Sequence, residues 1–145
     1  MAAIRANEEF CIGCRLCEVA CMAQHSACKD LVKALRPGRP RPLPGTVVEW
    51  EGHRSVSISC RHCEDAPCVT ACLTGAMHHR EDGRVEVDRE QCVGCWTCVL
   101  VCPYGAIRRG EDGHVASKCD FCPGRERPAC VEACPNRALT LEVEA

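Results

Sequence analysis

Cys92-Val93-Gly94-Cys95-Trp96-Thr97-Cys98-Val99-Leu100-Val101-Cys102-Pro103 decides how this chain is read. Three cysteines step at two-residue gaps, a fourth follows after three residues, and a proline closes the run. Such gaps let successive thiolates converge on one face of a metal cluster while the turn's backbone N–H groups point at its sulfurs. Gly94, inside the first gap, suits a chain wrapped closely round such a group, because it carries no side chain. The same spacing occurs earlier at Cys11, Cys14, Cys17 and Cys21, with Gly13 in the matching place. Two looser versions complete the set: Cys60, Cys63, Cys68 and Cys72, then Cys119, Cys122, Cys130 and Cys134, the last followed by Pro135. Sixteen of the 17 cysteines thus fall into four motifs of four, and Cys28 is left over.

Composition explains why the chain needs them. It has 145 residues and is 46% hydrophobic only when cysteine is counted. Leu, Ile, Val and Phe make up roughly a fifth of it, a level at which chains stay disordered unless something staples them. Ordering a chain of this length costs on the order of 200 kcal/mol of conformational entropy. Disulfides, zinc and iron-sulfur clusters are the available staples. Disulfides require an oxidising compartment. Met1 to Phe10 carries Arg5, Glu8 and Glu9 and no apolar stretch, and the single Arg-Arg pair is Arg108-Arg109, so the expectation is a reducing, cytoplasmic setting. No run of 18 apolar residues occurs, so no membrane span is expected. The odd cysteine count also argues against a fully paired disulfide framework. A zinc ribbon joins two separate two-cysteine knuckles and has no use for three evenly stepped cysteines plus a fourth. The third motif instead matches the bacterial cluster-binding run, in which the fourth cysteine ligates the neighbouring cluster. Motifs of this kind work in reciprocal pairs. Spacing alone leaves the pairing open, since the third motif is close to both the second and the fourth.

A repeat follows the last cysteine of three motifs: Cys72…Ala76-Met77, Cys102…Ala106-Ile107 and Cys134…Ala138-Leu139. It reads as ligand, turn, then an Ala-aliphatic pair that covers the cluster and enters a short strand. The first motif departs from this and is expected to continue as a helix through Leu35. Alternation predicts a β-hairpin of residues 46–50 with 55–59 around Glu51-Gly52-His53. Residues 76–79 are expected to pair with 84–87, and 106–109 with 114–116. Arg36 to Gly45 holds four prolines and three arginines and is expected to run as an extended, polyproline-like surface segment, a possible docking strip. Arg125-Glu126-Arg127 reads as a second exposed loop.

Individual side chains carry less. Cys28 is read as a buried spare thiol and not as a ligand. His62, between Cys60 and Cys63, is weighed as packing against a role in placing an N–H or a charge beside a cluster. His25, His53, His78, His79 and His114 share no ligand spacing and are read as surface residues. Trp96 is read as a shield that keeps water from a cluster. Few aromatic residues and an acidic balance disfavour nucleic acid. No catalytic constellation is present, so no substrate chemistry is expected of the chain itself.

The four motifs in order, with Cys60-Arg-His-Cys-Glu-Asp-Ala-Pro-Cys68 and Cys92-Val-Gly-Cys-Trp-Thr-Cys98, resemble the four-cluster, ferredoxin-like electron-transfer subunits of multi-subunit oxidoreductases. Such subunits serve carbon monoxide dehydrogenases, formate dehydrogenases, hydrogenases, tungsten aldehyde oxidoreductases and the dimethyl sulfoxide reductase group. The resemblance implies a small α+β fold of two ferredoxin-like dicluster modules, with short β-hairpins and short helices, organised around four [4Fe-4S] clusters. Residues 1–28 with 103–145 would form one module and 60–102 the other, with 29–59 as an insertion. It implies four ligand sets: Cys11, Cys14, Cys17 and Cys134; Cys21, Cys119, Cys122 and Cys130; Cys60, Cys63, Cys68 and Cys102; Cys72, Cys92, Cys95 and Cys98. The formal charge of −2 would then fall to about −10 with four oxidised clusters in place. The implied function is relay of single electrons between a catalytic subunit and a second redox subunit. Tungsten aldehyde oxidoreductase or carbon monoxide dehydrogenase is the expected catalytic partner and a flavin NAD(P) reductase the second, with self-association possible. A free, diffusible polyferredoxin is the alternative.

Overall fold

The computed structural model describes residues 2–39, 41–110, 113 and 116–143. Among these, four antiparallel two-stranded ribbons and five short helices make up a small α+β fold. Strand β1 (Ala2–Ala6) pairs with β8 (Leu139–Val143), so the two ends of the chain close on each other with Ile4 opposite Leu141. Helix α1 (Leu16–His25) starts inside the first motif, and α2 (Leu31–Ala34) follows after a break. Strands β2 (Thr46–Glu51) and β3 (Arg54–Ser59) form the hairpin expected from alternation, joined through Gly52 at φ +60. Strand β4 (Met77–His79) pairs with β5 (Val85–Val87). The third expected pairing is represented by β6 (Arg108–Arg109) with β7 (Ala116–Ser117); Glu111, Asp112, His114 and Val115 of that proposed hairpin lie outside the described residues.

Each remaining motif carries its own short helix: α3 (Pro67–Thr70) holds Cys68, α4 (Thr97–Val101) holds Cys98, and α5 (Ala129–Ala133) holds Cys130. Helix α1 packs on α5, and α3 packs on α4. Two buried cores follow from this pairing. One gathers Ile4, Val48, Phe121, Val131 and Leu139 around Cys17, Cys60, Cys119 and Cys130; the other gathers Ala66, Met77, Val85, Ile107 and Ala116 around Cys68. The Ala-aliphatic repeat behaves as expected: Ala76, Met77, Ala106, Ile107, Ala138 and Leu139 are all buried.

Two expectations are corrected. The helix of the first motif stops at His25 and does not run to Leu35. Ser26 turns its hydroxyl back onto the Ala23 carbonyl (2.6 Å), Lys29 takes a left-handed φ of +47, and Asp30 begins a new helix by accepting from the Lys33 N–H at 2.8 Å. Side-chain bonds of this kind compete with the helical ladder, and here they end it. The Arg/Pro segment turns over residues 35–39 before straightening, and its last residues tuck against the fourth motif instead of lying free: Gly45 sits on the Cys119 backbone.

Candidate metal centres

The thiols come together in groups drawn from distant parts of the chain. Cys11, Cys14, Cys17 and Cys134 line one small cavity with Val48 and Ser57. Cys72, Cys92, Cys95 and Cys98 line a second with Met77 and Trp96. Cys130 lies within electrostatic reach of Cys119, Cys21, Cys122 and Cys17. Cys63 and Cys68 each lie within reach of Cys60 and Cys102. Cys119 is also within reach of Cys60, so the two most buried groups adjoin. Cys28 joins none of these; it is half-buried, with its sulfur 3.6 Å from the Ser26 hydroxyl.

The surroundings suit a sulfur-bound cluster. Three of the motif-ending cysteines accept a backbone N–H: Cys21 from Gly45 at 3.1 Å, Cys72 from Met77 at 3.3 Å and Cys134 from Ala138 at 3.2 Å. Hydroxyls add to these, with Ser57 3.6 Å from Cys17, Ser55 3.6 Å from Cys11 and Thr97 3.4 Å from Cys95. Thr97 holds the exposed Cys95 thiol below its usual pKa. Burial works the other way at the inner thiols, pushing Cys68 to about 11 and Cys119 to about 12 and raising Cys130. Thiols held this high bind metal by releasing their protons, and soft, all-thiolate donor sets with N–H···S bonds favour iron-sulfur clusters or zinc over harder ions.

Several participants were not legible as such in the sequence. Strand β3 turns Ser55, Ser57 and Ser59 inward and leaves Val56 and Ile58 half-exposed. Ser57 also bonds the buried Thr46 hydroxyl at 2.6 Å, and the Glu18 carboxylate accepts from the Val48 N–H, so the hairpin is fastened over the first motif. The one available signal was the Ser-x-Ser-x-Ser alternation itself. His25 is exposed, as expected, but it is not idle there: its ring spans Asp120 at 2.9 Å and the Cys21 carbonyl at 2.8 Å, and these bonds lift its pKa to about 11. With Cys122 these two bring three donor atoms within 4.8 Å, but the ion pair already satisfies them, and they clamp α1 to the fourth motif.

His62 packs, and the alternative of a charge beside the cluster falls away. The ring is 1% exposed, stacks on Phe121 at 4.0 Å, and accepts the Val85 N–H on Nδ1. Burial, with the nearby charges of Lys118 and Arg84, lowers its pKa to about 3, so it is neutral. Its Nε2 finds no partner. Trp96 is partly covered and carries the Arg109 guanidinium over its ring.

A family model described as the 4Fe-4S dicluster domain matches residues 53–144. The chain is 40% identical to an iron-sulfur protein of Rhodospirillum rubrum, over 95% of this chain and 80% of that one. It is 36% identical to the thiosulfate reductase electron transfer subunit PhsB of Salmonella typhi, over 92% of this chain and 71% of that one. With the B subunit of the anaerobic dimethyl sulfoxide reductase of Escherichia coli (strain K12) it shares 42% identity, over 89% of this chain and 67% of that one. The thiol groups therefore serve [4Fe-4S] clusters, and the chain belongs to the 4Fe-4S dicluster domain family of iron-sulfur electron-transfer proteins.

Proposed function

We propose that the chain is the electron-transfer subunit of an oxidoreductase complex and carries four [4Fe-4S] clusters on sixteen cysteines. Cys11, Cys14, Cys17 and Cys134 would hold the first, and Cys21, Cys119, Cys122 and Cys130 the second. Cys60, Cys63, Cys68 and Cys102 would hold the third, and Cys72, Cys92, Cys95 and Cys98 the fourth. Residues 1–28 with 103–145 then form one dicluster module and 60–102 the other, while 29–59 supplies the hairpin over Cys11 to Cys17. Bound clusters supply one-electron redox chemistry; the chain sets their spacing, burial and hydrogen bonding.

The observation that carries this reading is the graded burial of the thiols. All four thiols of the second group, Cys21, Cys119, Cys122 and Cys130, are buried, as are Cys60 and Cys68 of the third; the first group buries only Cys17 and exposes Cys14, and the fourth buries none and exposes Cys95. Large apolar side chains lie open beside the two exposed thiols: Phe10, Ile12 and Leu16 near Cys14, and Val93 near Cys95. A buried middle with two open, apolar ends favours a subunit bridging two redox partners over a free carrier, because apolar rims of this kind are what interfaces cover. Two of the three named relatives belong to thiosulfate and dimethyl sulfoxide reductases, so a reductase is the catalytic partner we propose. They lend no support to an aldehyde oxidoreductase, a carbon monoxide dehydrogenase or a flavin reductase. No helix among the described residues is long and apolar enough to cross a membrane.

The test is anaerobic purification from the source, with iron, sulfide and zinc assayed and co-purifying proteins identified. About sixteen iron and sixteen sulfide per chain beside a large catalytic subunit is the expected result. Full iron in an unaccompanied chain would assign a diffusible carrier, and zinc in place of iron would end the electron-transfer reading.

A further inference from the structure

Lys118 stands directly before Cys119 and reaches back across the fold. Its Nζ donates to the carbonyl of Cys119 at 2.9 Å and to the carbonyl of Val85 in β5. Val85 is itself buried against Ala66, Cys68 and Met77, so the ammonium is tied to both cores at once. Two carbonyl bonds hold its position but cancel none of its charge. No carboxylate among the described residues forms an ion pair with it; Asp120, two residues on, is bonded to His25. A half-buried ammonium with only carbonyl partners is costly unless an anion lies close by. Among the described residues, Glu86 and Asp120 line the same cavity but are paired with Arg80 and His25, and the remaining anions there are thiolates. Lys118 lies within reach of Cys68 on one side and Cys119 on the other, where the two inner thiol groups adjoin.

Resting on the four-cluster reading above, we propose that Lys118 is a positioning charge that raises the reduction potential of the clusters held by the two thiol groups meeting at Cys60 and Cys119. Each reduction adds one electron to a site that is already anionic. A fixed cation within a few ångströms stabilises the reduced state more than the oxidised one, and burial on the core side leaves that field less screened than it would be in water. Hydrogen bonds and hydroxyls serve the thiols near Cys11 and Cys95, whereas the middle pair has a full charge. Electrons entering from either open end would therefore meet a more easily reduced middle.

The experiment uses the holoprotein, purified anaerobically and titrated with dithionite as the electron donor while the clusters are followed by EPR. Lys118→Gln keeps a donor for the two carbonyls and removes the charge; Lys118→Arg keeps both. The Gln variant, with full iron, is expected to lower the reduction equilibrium of one or two clusters at least tenfold, about 59 mV for one electron, leaving the others within about twofold. The Arg variant is expected to stay close to the wild type. Loss of iron from the Gln variant with retention in the Arg variant would assign the charge to holding the clusters and would overturn a role in setting their potential. Unchanged potentials in an iron-replete Gln variant overturn it, because the charge then does nothing for the clusters, and so does equal impairment of both variants, because the fit of the lysine side chain and not its charge is then what matters. A wild-type chain without sixteen iron defeats the four-cluster reading itself, and the two failures are thereby told apart.

Discussion

The third residue of every motif adopts a left-handed backbone: Gly13, His62, Gly94 and Phe121 have φ of +65, +47, +70 and +61. A residue with a Cβ there costs roughly 1–2 kcal/mol, so two of the four positions accept strain that glycine would avoid. The return is the stack of His62 on Phe121, which ties the second motif to the fourth and contributes about 0.5–1.5 kcal/mol beyond its area. Gly13 is glycine for a further reason, since a Cβ would lie 2.0 Å from the Trp50 ring. At Gly45 crowding and ligation coincide: a Cβ would sit 2.8 Å from the Cys119 Cα, and the Gly45 N–H is the donor to Cys21. Backbone cannot step aside as a flexible side chain can. Gly45→Ala should therefore cost about 1–3 kcal/mol and lift the Arg/Pro segment from the fourth motif, read as a lower midpoint of thermal unfolding and as less iron per chain on anaerobic purification. An unchanged midpoint with full iron would show that this contact is loose.

At the level of elements, the hairpin of β2 and β3 inverts the usual use of alternation. A half-buried strand normally turns its β-branched residues inward, but β3 buries Ser55, Ser57 and Ser59 because what lies beneath is thiol sulfur, which accepts hydrogen bonds. Ser57→Val should accordingly destabilise the protein, although it adds apolar surface to a buried position. It removes the hydroxyl partner of Cys17 and leaves the Thr46 hydroxyl, 1% exposed, without its 2.6 Å partner, at about 1–3 kcal/mol. Chemical denaturation of the holoprotein beside Ser57→Thr, which keeps the hydroxyl, measures this; a Val variant as stable as the Thr variant would remove the case for a hydroxyl face. The same hairpin marks where the sequence could and could not be read. Its strands and turn were legible, because alternation around Glu51-Gly52-His53 is local, and so were the cysteine motifs, whose spacing is a few residues. Which face of β3 turns inward was not legible, because it depends on Cys11 and Cys17 some forty residues away. The pairing of β1 with β8 and the seat of Gly45 on Cys119 escaped for the same reason. The break after His25 was missed on a different ground, since Ser26 and Asp30 act through their side chains within a stretch whose composition still suits a helix.

Among the described residues the ribbons are two-stranded and the longest helix has ten residues, elements that are marginal by themselves in water. Their buried surface is also poor in large apolar groups. Most of the buried hydrophobic positions are cysteine or alanine, and Phe121 is the only aromatic among them. The two cores are thus linings around sulfur, and the thiol groups join segments that are otherwise held by short elements and a few side-chain bonds: Cys134 meets Cys11 to Cys17, and Cys21 meets Cys119 to Cys130. Burial that keeps Cys119 protonated up to about 12 also means that the thiols repel little when empty but cannot replace the bonds that bound iron supplies. Removing the iron with a chelator under reducing conditions should therefore unfold the chain cooperatively, not leave an apoprotein of native shape. Far-UV circular dichroism should fall toward the unfolded signal as iron is lost, and amide exchange should lose protection in β1 and β8 together, since their pairing closes the first and fourth motifs on each other. An iron-free chain that kept native dichroism and slow exchange in β1 would mean that the Ala-aliphatic pairs and short ribbons suffice, and that the clusters are guests in a scaffold able to stand without them.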